Sequence, residues 1–444
     1  MRTIIIGGSA TGMGVAARLK RNLPDSEIIV FQEKKYVSLG ACGLPYFVAN
    51  NFTDENILIA RTKDDFEKTG IKIYSNINVN TVDFENKKVF FNNQQLEYDN
   101  LVIAVGAKPI IPNIKGINGK SVFTLTTLED GIMLKKKMEE DNKIKKIAVI
   151  GAGFIGLEMC ETFRELNKEV YLIEMEKRIS SKAFDEEFSD LILEKLNQKS
   201  INVLLNHQVS EILLNTNDEV NGILLKNGEK INVDAVLMAV GFKPNTEIFN
   251  NSKLAINSKG AIIVNTKGET NISSVYSAGD CTTSKNYLTD EDIYSPLATV
   301  ASKFARVIAD NISGRNENFV GSIQSAMIRI FDLEVARTGL SENDAKERNI
   351  NFKSVLIKDK DHTAYTTNQK DLYLKIIMNN DSKEIIGAQM AGSNNSILRI
   401  NALSALIWQK AKLDSVLEQI DFAYAPPFSK TTDIVHIAMS KLKK

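Results

Sequence analysis

The 444-residue chain is 43% hydrophobic and 25% charged, ordinary usage for a globular protein of two or three domains. Its 55 basic and 55 acidic residues cancel, which excludes the broad cationic field that nucleic acid or an anionic membrane surface requires. Three scattered cysteines, Cys42, Cys160 and Cys281, form neither a disulfide framework nor a CxxC metal pair, and this predicts a reducing, cytoplasmic setting.

The N-terminal run Thr3 to Ile6 predicts a buried strand, being far too short for an export signal or a membrane span. It leads into Gly7-Gly8-Ser9-Ala10-Thr11-Gly12, a predicted helix from Met13 to Asn22 and a second strand from Glu27 to Phe31. Strand, glycine turn, helix and strand form the unit that holds a dinucleotide. The glycines admit the pyrophosphate close to the backbone, and the helix N-terminus attracts its charge. This copy departs from G-x-G-x-x-G, because Ser9 holds the middle glycine's place. The second strand ends at Gln32 or Glu33; either side chain hydrogen-bonds a ribose, and Glu33 is the slightly favoured candidate.

One crossover later stands Ser38-Leu39-Gly40-Ala41-Cys42-Gly43-Leu44-Pro45-Tyr46. No second cysteine follows nearby, so the redox partner of Cys42 must come from outside the chain. The run from Gly43 predicts a helix with proline in its first turn, which puts the thiol at a helix N-terminus, where its pKa falls from about 8.5 toward neutrality. Cys160 and Cys281 read instead as small buried hydrophobes.

A second unit spans Ile147 to Ile173 and carries a complete fingerprint, Gly151-Ala152-Gly153-Phe154-Ile155-Gly156. Glu174 follows Gly156 by 18 residues, near the spacing at which a carboxylate meets the ribose 2′-hydroxyl and repels a 2′-phosphate; this favours NADH over NADPH, although Lys177 and Arg178 add cations nearby. The stretches Tyr98 to Pro109 and Asp234 to Pro244 are both strands that end at a glycine, Gly106 and Gly241, and each closes one unit. Two units imply two bound nucleotides. Val275 to Asp280 is a further strand ending in Gly279-Asp280; the aspartate either opens the next helix beside the cofactor's ribityl chain or caps it, or both. Past residue 320, alternating Leu372 to Met378 and a helical stretch from Ser396 to Gln409 predict an α+β segment without a glycine fingerprint, suited to assembly.

Over essentially its whole length the chain resembles the two-dinucleotide-domain flavoprotein disulfide reductases. Within them it resembles the single-cysteine branch that holds CoA-disulfide reductase, water-forming NADH oxidase, NADH peroxidase and polysulfide reductases. The resemblance implies an α/β fold of two doubly wound dinucleotide-binding domains, for FAD and NAD, plus a C-terminal α+β dimerisation domain. The FAD domain would be split, 1–112 and 247–320, the NAD domain would be 113–246 and the dimerisation domain 321–444. Carried onto this sequence, the resemblance assigns Gly7, Gly8, Ala10, Gly12, Gln32, Glu33, Ala104, Gly106, Gly279, Asp280 and Ala298 to FAD. It assigns Gly151, Gly153, Ile155, Gly156, Glu158, Glu174 and Gly241 to NAD.

Cys42 is the implied catalytic thiol. Tyr424, in Tyr424-Ala425-Pro426-Pro427, resembles a tyrosine that reaches the cysteine of the partner subunit. Tyr365 falls at the family's other active-site tyrosine, though its segment lacks the usual proline and glycine. Arg18, Lys20 and Arg21 include positions where the family grips the coenzyme's nucleotide end, and Ser38 matches a ligand-contacting serine. Ala41 stands where many members have asparagine, which weighs against coenzyme A. Oxidases and peroxidases of the branch carry a histidine in the first glycine turn, where this chain has Ala10, and peroxidase chemistry is disfavoured.

The implied activity is an FAD-dependent reductase passing electrons from NADH through flavin to Cys42 and on to a disulfide, coenzyme A disulfide first. The alternatives are an NADH oxidase or an NADH-dependent sulfur or polysulfide reductase and, in a different class, a flavoprotein electron donor or redox sensor without thiol chemistry. A homodimer with sites completed across the interface is expected, with no nucleic acid or membrane partner.

Overall fold

The computed structural model describes residues 1–141, 143–414 and 416–443. Its residues group into two compact units. The first comprises Met1–Ile111, Thr124–Asp141 and Gly241–Ser322; the second comprises Pro112–Phe123, Asn142–Val240 and Ile323–Lys444.

The first unit is built on a five-stranded sheet, all of it parallel, in the spatial order Val275–Ser277, Asn100–Ile103, Arg2–Ile6, Glu27–Gln32, Ile71–Ser75. Its strands are near-continuous apolar runs because both faces are covered. Ile4, Ile5, Phe31, Leu101 and Val102 are buried together with Phe304 of helix Ala298–Ile312, which packs along the glycine-turn helix Ala10–Asn22.

The second unit repeats this plan with strands Asn202–Leu205, Glu169–Glu174, Lys146–Ile150, Ala235–Met238 and Val122–Phe123, again all parallel. It also holds a five-stranded antiparallel sheet, ordered Ala326–Ile330, Leu333–Gly339, Ile385–Gly392, Asp371–Asn379, Phe352–Lys360. Helices Ile400–Trp408 and Ile434–Lys443 pack on that sheet. The expected α/β architecture with an α+β C-terminal segment is therefore present. The helix expected over 396–409 is divided, a 3₁₀ turn Ser396–Arg399 leading into Ile400–Trp408.

Inside the second unit a buried cation joins the two sheets' surroundings. Lys375, 3% exposed, lies 2.7 Å from Glu342, 2.9 Å from Glu187 and 3.3 Å from Asp185. Gln389 donates to the same Asp185 at 2.8 Å. Burial alone would raise the Glu342 carboxyl, but Lys375 and Ser354 hold it down at about 2. Among the described residues no helix is long and apolar enough to cross a membrane, and no three His, Cys, Asp or Glu side chains are grouped to hold a metal ion.

Candidate active site

The two glycine turns have one geometry. Gly7 and Gly151 have φ of +108° and +105°, and a Cβ on either would fall 2.0 Å from the Ala104 carbonyl oxygen or 2.4 Å from that of Ala239. Only glycine fits both the backbone angle and the neighbouring strand. Gly153 differs, since no protein atom lies within 4 Å of where its Cβ would stand. Packing does not demand a glycine there, and the open space suits the close approach of a ligand to the turn. Both following helices, Ala10–Asn22 and Phe154–Glu165, start without a side-chain cap and without an acid in the first turn, as does Ala298–Ile312. Helix Leu128–Glu140 shows the contrast with a full capping box from Thr127 and Asp130. The open N–H groups of the glycine-turn helices suit a pyrophosphate. These features fit FAD in the first turn and a nicotinamide dinucleotide in the second.

Register identifies the residue that faces each turn. Ile6 pairs with Phe31 as Ile150 pairs with Ile173, so Gln32 is the counterpart of Glu174. Gln32 accepts from Gly8 N at 2.8 Å, and Glu174 accepts from Ala152 N at 2.7 Å. Glu33, favoured from the sequence, points outward instead and pairs with Lys34 at 3.4 Å. Ala10 is the first residue of its helix and exposed, Gly12 is buried behind the turn, and Ala298 is exposed at the start of its own helix. Gly106 (φ +66°), Gly241 (φ +105°) and Gly279 (φ +88°) turn the chain at the ends of the closing strands.

Asp280 departs from expectation, because it opens no helix. The chain continues into a hairpin, Thr283–Lys285 with Asp292–Tyr294, and the next helix begins only at Ala298. Burial pushes the Asp280 carboxyl upward. In the second unit Ile155 and Glu158 sit in the first turns of the fingerprint helix. Burial, then the neighbouring Glu161 carboxylate, pushes Glu158 up to about 7.

The segment carrying Cys42 is latched at several points. Ser38, at φ +53°, donates its N–H to the Gly8 carbonyl at 2.9 Å, which ties this segment to the first glycine turn. Gly40 N bonds Leu58 O at 2.8 Å, Ala60 N bonds Ser38 O at 3.1 Å, and Leu39 bridges Ile59. Cys42 is exposed in a 3₁₀ turn, Ala41–Gly43, while Cys160 and Cys281 are fully buried. The expected helix is present but only five residues long, Leu44–Val48, so its dipole is weaker than a long helix supplies. Lys135, absent from the sequence reading, braces its C-terminal end by donating to the carbonyls of Phe47 and Phe52, each at 3.2 Å.

Two residues expected to contact the ligand have partners within the chain. Arg18 forms a bidentate pair with Asp310, at 2.7 and 2.6 Å, and Asn22 joins that carboxylate at 2.8 Å, so Arg18 serves as an inter-helix clamp. Lys20 donates to Ser26 O at 3.0 Å. Arg21, at the outer end of the same helix, is exposed.

In the second unit the two tyrosines come together, the Tyr365 and Tyr424 hydroxyls lying 2.7 Å apart. Both are exposed, at 74% and 41%, beside Phe428 at 75%. Hydrogen bonding to Tyr365 raises the Tyr424 pKa.

The chain matches the family model described as pyridine nucleotide-disulphide oxidoreductase over residues 1–305 and that family's dimerisation domain over 325–434. It is 32% identical to an NAD(P)H sulfur oxidoreductase (CoA-dependent) of Pyrococcus abyssi, covering 99% of this chain and 98% of the relative. It is also 32% identical to an NADH oxidase of Methanocaldococcus jannaschii, with coverage of 99% and 98%. A coenzyme A disulfide reductase of Staphylococcus aureus is 29% identical over all of both chains. Among solved structures, an NAD-dependent persulfide reductase from A. fulgidus superposes with a TM-score of 0.95 at 35% identity, covering 99% of this chain and 83% of that one. The glycine turns, the single exposed cysteine and these full-length matches agree: the chain belongs to the pyridine nucleotide-disulphide oxidoreductase family, as an NAD(P)H-dependent flavoprotein enzyme.

Proposed function

We propose that the protein reduces a small disulfide, coenzyme A disulfide first, with NADH as electron donor. The observation that carries the reading is Cys42, exposed on a segment that Ser38 N ties to the first glycine turn through the Gly8 carbonyl, while both other cysteines are fully buried. A thiol so placed exchanges with an external sulfur and not with a partner in its own chain. The names of the coenzyme A-linked relatives support the same substrate class.

Gly7, Gly8, Gln32, Gly106, Gly279 and Asp280 would hold FAD, which when bound supplies the two-electron relay between nicotinamide and sulfur. Gly151, Gly153, Gly156 and Glu174 would hold NADH, and the Glu174 carboxylate favours it over NADPH. Cys42 Sγ attacks one sulfur of the substrate, forming a mixed disulfide and expelling the other half as a thiolate. That thiolate takes its proton at the paired hydroxyls of Tyr365 and Tyr424. Two electrons and a proton originating in NADH then release the first half as a thiol and restore Cys42. Tyr424, and with it the paired Tyr365 of the same chain, is supplied by a second copy of the chain, consistent with the exposure of both on a segment matched by the dimerisation domain. Ser38 and Arg21 hold the substrate's polar end.

A second reading, reduction of persulfide or polysulfide sulfur by the same thiolate, is favoured by the name of the A. fulgidus enzyme. Steady-state NADH consumption under argon separates the two. Rapid turnover with coenzyme A disulfide, abolished in Cys42→Ser, supports the first; turnover with polysulfide alone supports the second. Turnover only in air, unchanged in Cys42→Ser, refutes both.

A further inference from the structure

Tyr365 and Tyr424 stand on irregular segments 59 positions apart, and both side chains are exposed. Exposed tyrosines on loops do not hold a 2.7 Å contact through packing of their own rings. The order comes from contacts between the loops, and one of the side chains that make them, Arg399, reaches both loops and a buried carboxylate. Arg399 donates through one terminal nitrogen to Asp361 O at 2.9 Å and to Phe428 O at 2.8 Å. Its Nε bonds Asp433 Oδ2 at 2.8 Å, and its other terminal nitrogen bonds Ser396 O at 3.0 Å. Arg399 is 17% exposed and Asp433 9%.

Both anchor points are themselves fixed. The Asp361 carboxylate, 3% exposed, accepts from Lys370 N at 2.9 Å and lies 2.8 Å from His362 Nδ1, closing the base of the loop that carries Tyr365. Thr363 ties the two loops again, with Oγ1 donating to Pro426 O at 3.0 Å. Thr363 N and Thr366 Oγ1 donate to the same carbonyl at 3.4 and 3.3 Å, so these ties converge on the one Pro426 oxygen, whereas Arg399 is a planar fork aimed at both loops and at a buried carboxylate. That geometry is one a lysine cannot copy.

We propose that Arg399 is a positioning residue for the oxidative half of the reaction, locking the two loops into one body so that the Tyr365 and Tyr424 hydroxyls stay in register. The inference rests on the reading that this hydroxyl pair serves the leaving thiol. The raised Tyr424 pKa accords with it, because the shift depends on Tyr365 remaining in contact.

The test compares Arg399→Lys, Tyr424→Phe and the double variant in the full-length, FAD-loaded protein. Reduction by NADH under argon is expected at the wild-type rate in all three, since no tyrosine takes part. Reoxidation by coenzyme A disulfide is expected to slow roughly tenfold or more in each single variant. The double variant should be no slower than Tyr424→Phe alone, because both changes remove one function. Ultraviolet titration should show one tyrosine ionising at lower pH in Arg399→Lys.

If Tyr424→Phe reoxidises at the wild-type rate, the tyrosine reading fails and takes the inference with it. If Tyr424→Phe is slow but Arg399→Lys is not, or the two losses multiply, the inference alone is overturned. Should Arg399→Lys fail to assemble, Asp433→Asn loosens the same guanidinium and carries the same expectations and refutations.

Discussion

Glu158 offers the sharpest test of the electrostatics. It lies behind the second glycine turn on helix Phe154–Glu165, and burial, then Glu161 three residues on, lifts its carboxyl from 4.5 to about 7. A shift of that size corresponds to roughly 3 kcal/mol of preference for the protonated form, taken as an upper bound. The sign follows from proton counting. Between the unfolded and folded pKa values the native state holds the extra proton, so this group's contribution to stability falls as pH rises from about 4.5 to about 7 and is flat above. Glu158→Gln keeps the shape and removes the titration. Urea midpoints measured from about pH 5 to about pH 8 should show the variant gaining on the wild type, by up to roughly 3 kcal/mol at the alkaline end. Glu161→Gln should narrow that gap by removing the like charge. Parallel pH profiles for Glu158→Gln and the wild type would refute the argument, as would a gap that opens toward acid.

Lys375→Met should destabilise the protein by about 3–5 kcal/mol in urea melts at neutral pH, because the buried Asp185 and the partly buried Glu342 are left without their cation. The low Glu342 value makes a companion forecast: its stabilising contribution is complete above pH 4.5 and lost as pH falls toward about 2, so Glu342→Gln should flatten the acid limb of the stability curve. Arg18→Met should lower thermal stability while leaving KM for the disulfide unchanged, and Arg21→Ala should do the reverse; equal KM effects would make Arg18 a ligand contact as well as a clamp. Gly153→Ala should weaken NADH binding without lowering the melting temperature, since its added methyl meets no protein atom. Gly151→Ala should disrupt folding, because its added methyl would meet the Ala239 carbonyl oxygen at 2.4 Å.

What the sequence discloses is what local periodicity and glycine spacing can encode. Both strand–turn–helix–strand units, their closing strands at Gly106 and Gly241, and the α+β character of the last segment follow from patterns within about thirty residues. Which of Gln32 and Glu33 faces the glycine turn does not, because it depends on where a strand ends to within one residue, and the pairing of Ile6 with Phe31 puts Gln32 there. Gly279-Asp280 after a strand suggests a residue that opens or caps the next helix, but a hairpin intervenes before that helix begins at Ala298. Arg18 has the same look as Arg21 in one dimension; its engagement by Asp310, 292 positions away, belongs to tertiary structure alone. Arg399 did carry a signal, a lone cation within Ser396-Ile397-Leu398-Arg399-Ile400, although nothing local says what a charge there would hold.

The first sheet is assembled from distant parts of the chain. Its strand Asn100–Ile103 pairs on one side with Arg2–Ile6 and on the other with Val275–Ser277. A chain growing on the ribosome therefore displays an apolar, unpaired border until Ser277 has emerged, long after the other four strands are made. During that interval Gly279 and Asp280, proposed to hold the flavin, are missing as well; on that reading flavin capture and closure of the sheet become late, linked events of biosynthesis.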